Sequence, residues 1–358
     1  MKKNKSPLII ISFIIIVCIC GIVYANRSVF SIKGDGQVIY TLETGQMPQF
    51  GRIKNSVAVT GREGIIALNN SGGQAWHILK NTSTPCMQYE GSYTLLFDRG
   101  GRELITYNGN TKMAELTADQ SIITAKINSK GYIAVVTNET GYKSKIEILD
   151  QHGQPVYKWQ ICDDYVIDVD ISPNCKQFAV SMLKTLDGKA IGNIAFVDMV
   201  SAKIISETKN ENSISLMVKY TNDSSLVAVG ESELLGFNSG GVSKWKVNYG
   251  GRTLQTFRLD EKCNAILALS GSRNNTSIEV YSSSGKKTGE YISDFEIKAI
   301  DIIENTIAIA EQRNIKLLNY AGRVKSEKTV KKDVKAIVAL PAKSVAIVGG
   351  STVDILKL

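Results

Sequence analysis

Pairs of short apolar runs recur along this chain, with a polar turn inside each pair and a longer polar stretch after it. The leading runs begin at Ser56 (SVAV), Tyr93 (YTLLF), Tyr132 (YIAVV), Gln177 (QFAV), Ser225 (SLVAV), Ala265 (AILAL), Thr306 (TIAIA) and Ser344 (SVAIV), in steps of 37, 39, 45, 48, 40, 41 and 38 residues. The followers begin at Ile65 (IIAL), Glu103 (ELITY), Lys145 (KIEIL), Asn193 (NIAFV), Glu233 (ELLGF), Ser277 (SIEVY), Asn314 (NIKLL) and Thr352 (TVDIL). Runs this short between turn signals are strands, and strands that repeat about every forty residues predict a β-propeller.

In seven repeats the follower leads through a Gly-rich or polar turn into an outer strand, as at Gly73-Gln74-Ala75-Trp76-His77 and Gly153-Gln154-Pro155-Val156-Tyr157-Lys158-Trp159. The eighth has no room for one before Leu358. Asp35-Gly36-Gln37-Val38-Ile39-Tyr40-Thr41-Leu42 carries the same Gly-Gln turn and alternates as a strand does, so it is expected to complete the last blade and hide its edge. The expectation is an all-β, eight-bladed propeller over residues 36–358, closed by its N-terminal strand, with seven blades as the alternative if one weak repeat is not a blade. Asn70-Ser71-Gly72-Gly73, Asn108-Gly109, Asp150-Gln151-His152-Gly153, Asn238-Ser239-Gly240-Gly241, Ser284-Gly285 and Asn319-Tyr320-Ala321-Gly322 fall where turns between third and fourth strands belong.

The first residues set an expected address. Lys2, Lys3 and Lys5 make 1–7 a cytoplasmic basic segment, the apolar run within 8–25 a transmembrane signal anchor, and 26–35 a short tether. The run is short for a span and long for a signal-peptide core; Val23-Tyr24-Ala25 could be a cleavage site, whereas Pro7 and the length favour an uncleaved anchor. Cys18 and Cys20 follow the branched Val17 and Ile19, which argues against lipidation. On either reading the propeller is extracytoplasmic, at the cell membrane.

Net charge is +8, of which three charges belong to the leading lysines. The segment 313–358 holds much of the rest, and Lys328, Lys331, Lys332 and Lys335 are read as a membrane-facing basic sector, or else as lysines that blunt the edge of an outer strand. Loops on one face of a propeller gather Arg62, Arg99, Arg102, Arg252, Arg273 and Arg313 beside Tyr142, Lys143, Asp164, Tyr165 and Tyr249. Arg forks and Tyr rings suit an anion- or protein-binding surface, so Arg62, Arg99, Arg102, Tyr142, Lys143, Asp164, Tyr165, Arg252 and Arg273 are the candidate ligand- or partner-binding residues. The same arginines also serve as ordinary surface residues flanking turns.

Enzyme chemistry has little to stand on. His77 alternates within an outer strand and His152 sits in a hairpin turn, neither placed as a base or a ligand. Asp168 and Asp170 share one face of an inner strand and could line the channel or bind a cation with Asp164, or be hydrogen-bonded to neighbouring strands. Cys86, Cys162, Cys175 and Cys263 show no metal spacing; Cys162 and Cys175 could meet, or stay unpaired. No catalytic residue, metal or cofactor is expected. Nucleic acid is a poor fit as a partner, because the basic stretch lacks aromatic stacking residues and the domain is expected outside the cytoplasm.

Leu96-Phe97-Asp98-Arg99-Gly100-Gly101 with Tyr107-Asn108, Gly131-Tyr132-Ile133-Ala134-Val135-Val136-Thr137, Gly141-Tyr142-Lys143-Ser144, Val156-Tyr157-Lys158-Trp159 and Ile171-Ser172-Pro173-Asn174 carry a likeness. The chain resembles the WD40/quinoprotein-like propellers, and more closely a domain-of-unknown-function family of signal-anchored Gram-positive proteins. That resemblance implies a membrane-anchored propeller and no particular activity. The Trp-Asp dipeptides of WD40 blades are absent, and Trp76, Trp159 and Trp245 are expected to pack between blades. The function expected is a binding or scaffold module for an envelope protein or an anionic wall or membrane component, assisting envelope assembly as outer-membrane-assembly propellers do. The alternative is a carbohydrate-active or quinone-dependent enzyme that uses the channel.

Overall fold

The computed structural model describes residues 36–42, 48–61, 63–271 and 275–358. Their regular structure is all strand, in eight four-stranded antiparallel sheets that follow one another in sequence around a channel. Seven sheets are meanders running from the inner to the outer strand: blades 1 to 7 span 50–79, 85–117, 122–161, 165–210, 215–248, 254–293 and 297–329. Blade 8 joins Ala336–Leu340, Ser344–Val348 and Thr352–Lys357 to Gln37–Thr41 as its outer strand, with Gln37 opposite Ile355 and Thr41 opposite Thr352. The expected eight blades and N-terminal closure are therefore present. The expected span 8–25 and tether 26–35 lie outside the described residues.

The leading runs are the second strands and the followers the third. Both lie between two neighbouring blades and are covered on both faces, so they read as unbroken apolar runs; Ala265–Ser270 and Ser344–Val348 are buried along nearly their whole length. Outer strands are covered on one face only and alternate, as Val324–Thr329 does. Their inward positions hold the tryptophans: Trp76 meets Tyr107 of blade 2 edge-on at 5.8 Å, and Trp159 lies 6.3 Å from Phe178 of blade 4.

The turns between third and outer strands share one device. Asn69, Asp150 and Asn319 each accept, on one side-chain oxygen, the backbone N–H groups two and four residues on, at 2.8–3.1 Å. The residue three positions on is Gly72, Gly153 or Gly322, with φ near +80°. These glycines also sit against the preceding blade's outer strand: a Cβ on Gly153 would meet Leu116, on Gly322 the backbone of Glu290, and on Gly72 the backbone of Ile39. The N-terminal strand is thus covered by blade 1 just as the other outer strands are by their successors.

Successive blades are further latched by polar pairs between a blade's third strand and the end of the blade before it. Lys80 bonds Glu103 at 3.1 Å, Asp119 bonds Lys145 at 3.2 Å, and Asn193 donates to Asp164 at 3.3 Å. Asn210 meets Glu233, Arg252 grips Glu279 at 2.8 and 3.2 Å, Tyr291 bonds Lys316 at 2.6 Å, and Lys332 meets Asp354. The third-strand partner is the first residue of the follower run in blades 2 to 5 and the third residue in blades 6 to 8, two positions apart and hence on the same side of the strand.

The meander gives the ring two unlike faces. Inner-to-second and third-to-outer turns gather on the face where residue 36 joins blade 8, here termed proximal; second-to-third turns and blade connections gather on the distal face. Cys162, in a connection, and Cys175, in an inner-to-second turn, therefore lie at opposite ends of blade 4, and all four cysteines of the described residues are free. Burial pushes the Cys263 thiol up to about 12.

Candidate partner-binding site

Of the candidate binding residues, Arg62 and Arg273 lie outside the described residues. The others sit on the distal face, four of them at the junction of blades 3 and 4 and the rest elsewhere around the ring. Arg99 is exposed beside blade 2, and Arg102 donates to the Ala118 carbonyl at 2.6 Å. Arg252 is committed to the ring: its fork holds Glu279, which is nearly inaccessible and also accepts from Tyr281 at 2.6 Å and Lys287 at 2.8 Å. Burial alone would raise the Glu279 carboxyl, but those three donors outweigh it and hold the carboxyl down at about 2.

The junction of blades 3 and 4 is where candidates meet. Lys143 donates to the Tyr165 hydroxyl at 3.1 Å, and its ammonium lies 4.9 Å from the Tyr165 ring centroid. Tyr142 and Tyr165 are 38% and 46% exposed, and Asp164 is tied to Asn193 beside them. Over this cluster stands a feature the repeat pattern did not single out. The second and third strands of blade 4, Gln177–Leu186 and Lys189–Asp198, are ten residues each, whereas those of the other blades have five to eight. The pairing Leu186↔Lys189 closes a hairpin that projects beyond the first residue of the inner strand, Tyr165, whose partner is Leu183. Its tip, from Thr185 to Ala190, is exposed, with Leu186 at 50%. The long 48-residue step after Gln177 was the available sequence signal.

The lysines read as a basic sector lie at the distal end of blades 7 and 8. Lys331, Lys332 and Lys335 lie in the distal connection from blade 7 to blade 8, at the other end of the blade from residue 36. Lys332 meets Asp354 and bonds Thr352 at 3.0 Å; Lys328, on the outer strand of blade 7, reaches the Lys357 carbonyl at 3.4 Å.

The channel holds a chamber of about 840 Å³ that continues into a lobe of about 500 Å³ towards the proximal mouth. Several of its charges are spent on the ring. The inner strand of each blade has one free edge, whose N–H and C=O groups need partners. Asp168 accepts from the N–H of Val218 at 3.1 Å and Asp170 from that of Tyr220 at 2.7 Å; Asp301 accepts from Ala339 at 2.7 Å, and Arg52 donates to the carbonyls of Ile302 and Ala339. Lys126 pairs with Asp168 at 3.1 Å and Lys219 with Glu90 at 2.7 Å. Burial raises the Asp170 carboxyl to about 6 against the pull of Lys219. Asp164 is not gathered with Asp168 and Asp170, and no group of three metal-ligating side chains occurs among the described residues. His77 lies on an outer strand and His152 in a turn, as their spacing implied.

Residues 36–358 match the model of a family of unknown function, DUF5711, and the chain belongs to that family. No curated protein matches it. Among solved structures, the ring is similar to BamB from Moraxella catarrhalis, at 14% identity and a TM-score of 0.57, over 90% of this chain and 100% of that one. It is also similar to Hsv2 from Kluyvelomyces marxianus, at 14% identity and a TM-score of 0.52, over 75% of this chain and 90% of that one. At such identities the likeness concerns the propeller fold.

Proposed function

We propose that this DUF5711 protein is a membrane-anchored, extracytoplasmic scaffold whose distal face docks an envelope protein, with no catalytic step of its own. The observation that carries the reading is the blade 4 hairpin, standing clear of the ring beside exposed Tyr142 and Tyr165 with Leu186 at its tip. Rigid aromatic rings and an aliphatic tip supply apolar contact area at little entropic cost, and Lys143, Lys184 and Asp163 supply a polar rim. The hairpin arm also has short free edges, from Lys184 to Leu186 and from Lys189 to Ile191, where an extended segment of a partner can add. The apolar run within 8–25, preceded by lysines, supports the anchor and the address.

The use of Asp168 and Asp170 to satisfy backbone N–H groups favours a scaffold over an enzyme working in the channel. Crosslinking in intact cells, followed by purification of the full chain, tests the reading. A specific envelope protein is expected with the native chain and at least tenfold less of it, an order-of-magnitude figure for the loss of an interface anchor, with Tyr165→Ala plus Leu186→Asp. Recovery of a wall polymer instead, or of the same protein with the variant, overturns it.

A further inference from the structure

The proximal face carries two sets of side chains that the scaffold reading does not use. Val38, Val156, Val200, Val242 and Val324 are 45–77% exposed, and each lies in a third-to-outer turn or in the first two positions of an outer strand. They come from blades 8, 3, 4, 5 and 7 at equivalent places, which sets them along one rim. Nearer the channel, the inner-to-second turns of blades 1, 3, 4, 6 and 8 present Lys54, Lys130, Lys176, Lys262 and Lys343, all exposed. The distal connections carry both signs, with Asp119, Asp163, Asp294 and Asp333 beside Lys80, Arg252, Lys331, Lys332 and Lys335, and the proximal turns also hold Asp223, Glu261 and Glu304. Residue 36 joins the ring on the proximal side, and the ten residues 26–35 can span at most about 35 Å.

We infer that the proximal face is a lipid-contacting surface, with its lysines on anionic head groups and its rim valines at the head group–acyl boundary. Single exposed aliphatics are ordinary on a protein surface; a series of them at one topological position, with exposed lysines nearer the channel, at the end from which the apolar segment leaves, has the composition of an interfacial surface. The orientation rests on the anchor reading, and it leaves the distal hairpin pointing away from the bilayer.

Every strand of the ring, its closure included, falls within 36–358, so that segment contains the whole fold and can be tested apart from the anchor. The probe is co-sedimentation of residues 36–358 with vesicles of phosphatidylcholine alone or with phosphatidylglycerol. Binding is expected only with phosphatidylglycerol and is expected to weaken with added salt. Val156→Glu, Val242→Glu and Val324→Glu together, or Lys130→Glu, Lys176→Glu and Lys343→Glu together, are each expected to reduce it about tenfold or more. Leu186→Glu with Lys189→Glu on the distal face is expected to leave it unchanged, and melting curves verify that all variants are folded. Absence of binding to anionic vesicles, binding retained by both proximal variants, or equal loss in the distal control overturns the inference. Alkali extraction of the full chain from membranes tests the anchor separately: a chain that resists extraction while its ring ignores anionic vesicles refutes the lipid-contacting face alone.

Discussion

Lys219 and Glu90 meet at 2.7 Å across the bore of the ring, one from the inner strand of blade 5 and the other from that of blade 2. Two blades separate them along the ring, so the pair is a crossbar over the chamber rather than a contact between neighbours. Burial disfavours the Lys219 ammonium, but Asp170 and Glu90 more than offset it and keep the group charged well above its ordinary range.

Lys219→Met is expected to drive the Asp170 carboxyl still higher than about 6, because the cation that most opposes its desolvation is gone. Carboxyl carbon chemical shifts followed against pH measure this, and an unchanged or lowered value contradicts it. The native-state value lies above the ordinary 3.8, so Asp170 favours folding below pH 3.8, and that contribution fades as pH rises through about 6. Asp170→Asn is expected to flatten the dependence of Tm on pH between these limits.

Arg252→Met is expected to cost about 3 kcal/mol in urea unfolding, since it strips a buried carboxylate of its bidentate partner while Lys287 and Tyr281 remain. The sign with pH is opposite to that of Asp170. Glu279 is held below its ordinary value of 4.5, near 2, so its stabilisation is present above pH 4.5 and is lost as pH falls towards 2. In the variant, acid unfolding is expected to begin at higher pH. A stability equal to the native protein's, with partner capture lost, would make Arg252 a binding residue instead.

Ile39→Asp is expected to cost about 3 kcal/mol, by burying a carboxylate among Val57 and Val59 of blade 1 and Val353 of the closing blade. With Gln37–Thr41 released, the Thr352–Lys357 strand becomes an open edge, and concentration-dependent association should appear in sedimentation velocity. Val38→Asp, on the exposed side of the same strand, should change stability by no more than about 0.5 kcal/mol. Equal effects of the two substitutions would mean that the strand does not close the ring.

Gly285→Ala is expected to cost about 2 kcal/mol or more, because φ is +79° and a Cβ would lie 2.5 Å from the Trp245 ring. Gly109→Ala, at φ +58° with open space around it, should cost about 1 kcal/mol. Thermal and urea unfolding compare the two, and a larger loss at Gly109 would show that backbone strain, rather than the blade-to-blade contact, sets the cost.

The latches between blades show how far local pattern reaches. Glu103, Lys145, Asn193 and Glu233 stand at the head of otherwise apolar follower runs, a visible irregularity. Their partners, Lys80, Asp119, Asp164 and Asn210, arrive from the preceding blade. Arg252 illustrates the consequence: its residue type and loop position suit a ligand-binding surface, whereas its fork faces a buried glutamate.

The repeat pattern was enough to specify the strand order and the closure by Gln37–Thr41, and to favour eight blades over seven, because strands covered on both faces must be apolar throughout and glycine turns must recur at fixed offsets. These are local demands, written within a few residues. Tertiary structure alone decided which charges are spent inside the ring and which remain for a partner. It set Lys331, Lys332 and Lys335 on the face away from residue 36, brought Glu90 to Lys219, and lifted Leu186 clear of the blades. Such relations depend on the curvature and alternating direction of the whole meander, since the two members of a pair can lie on strands 129 residues apart.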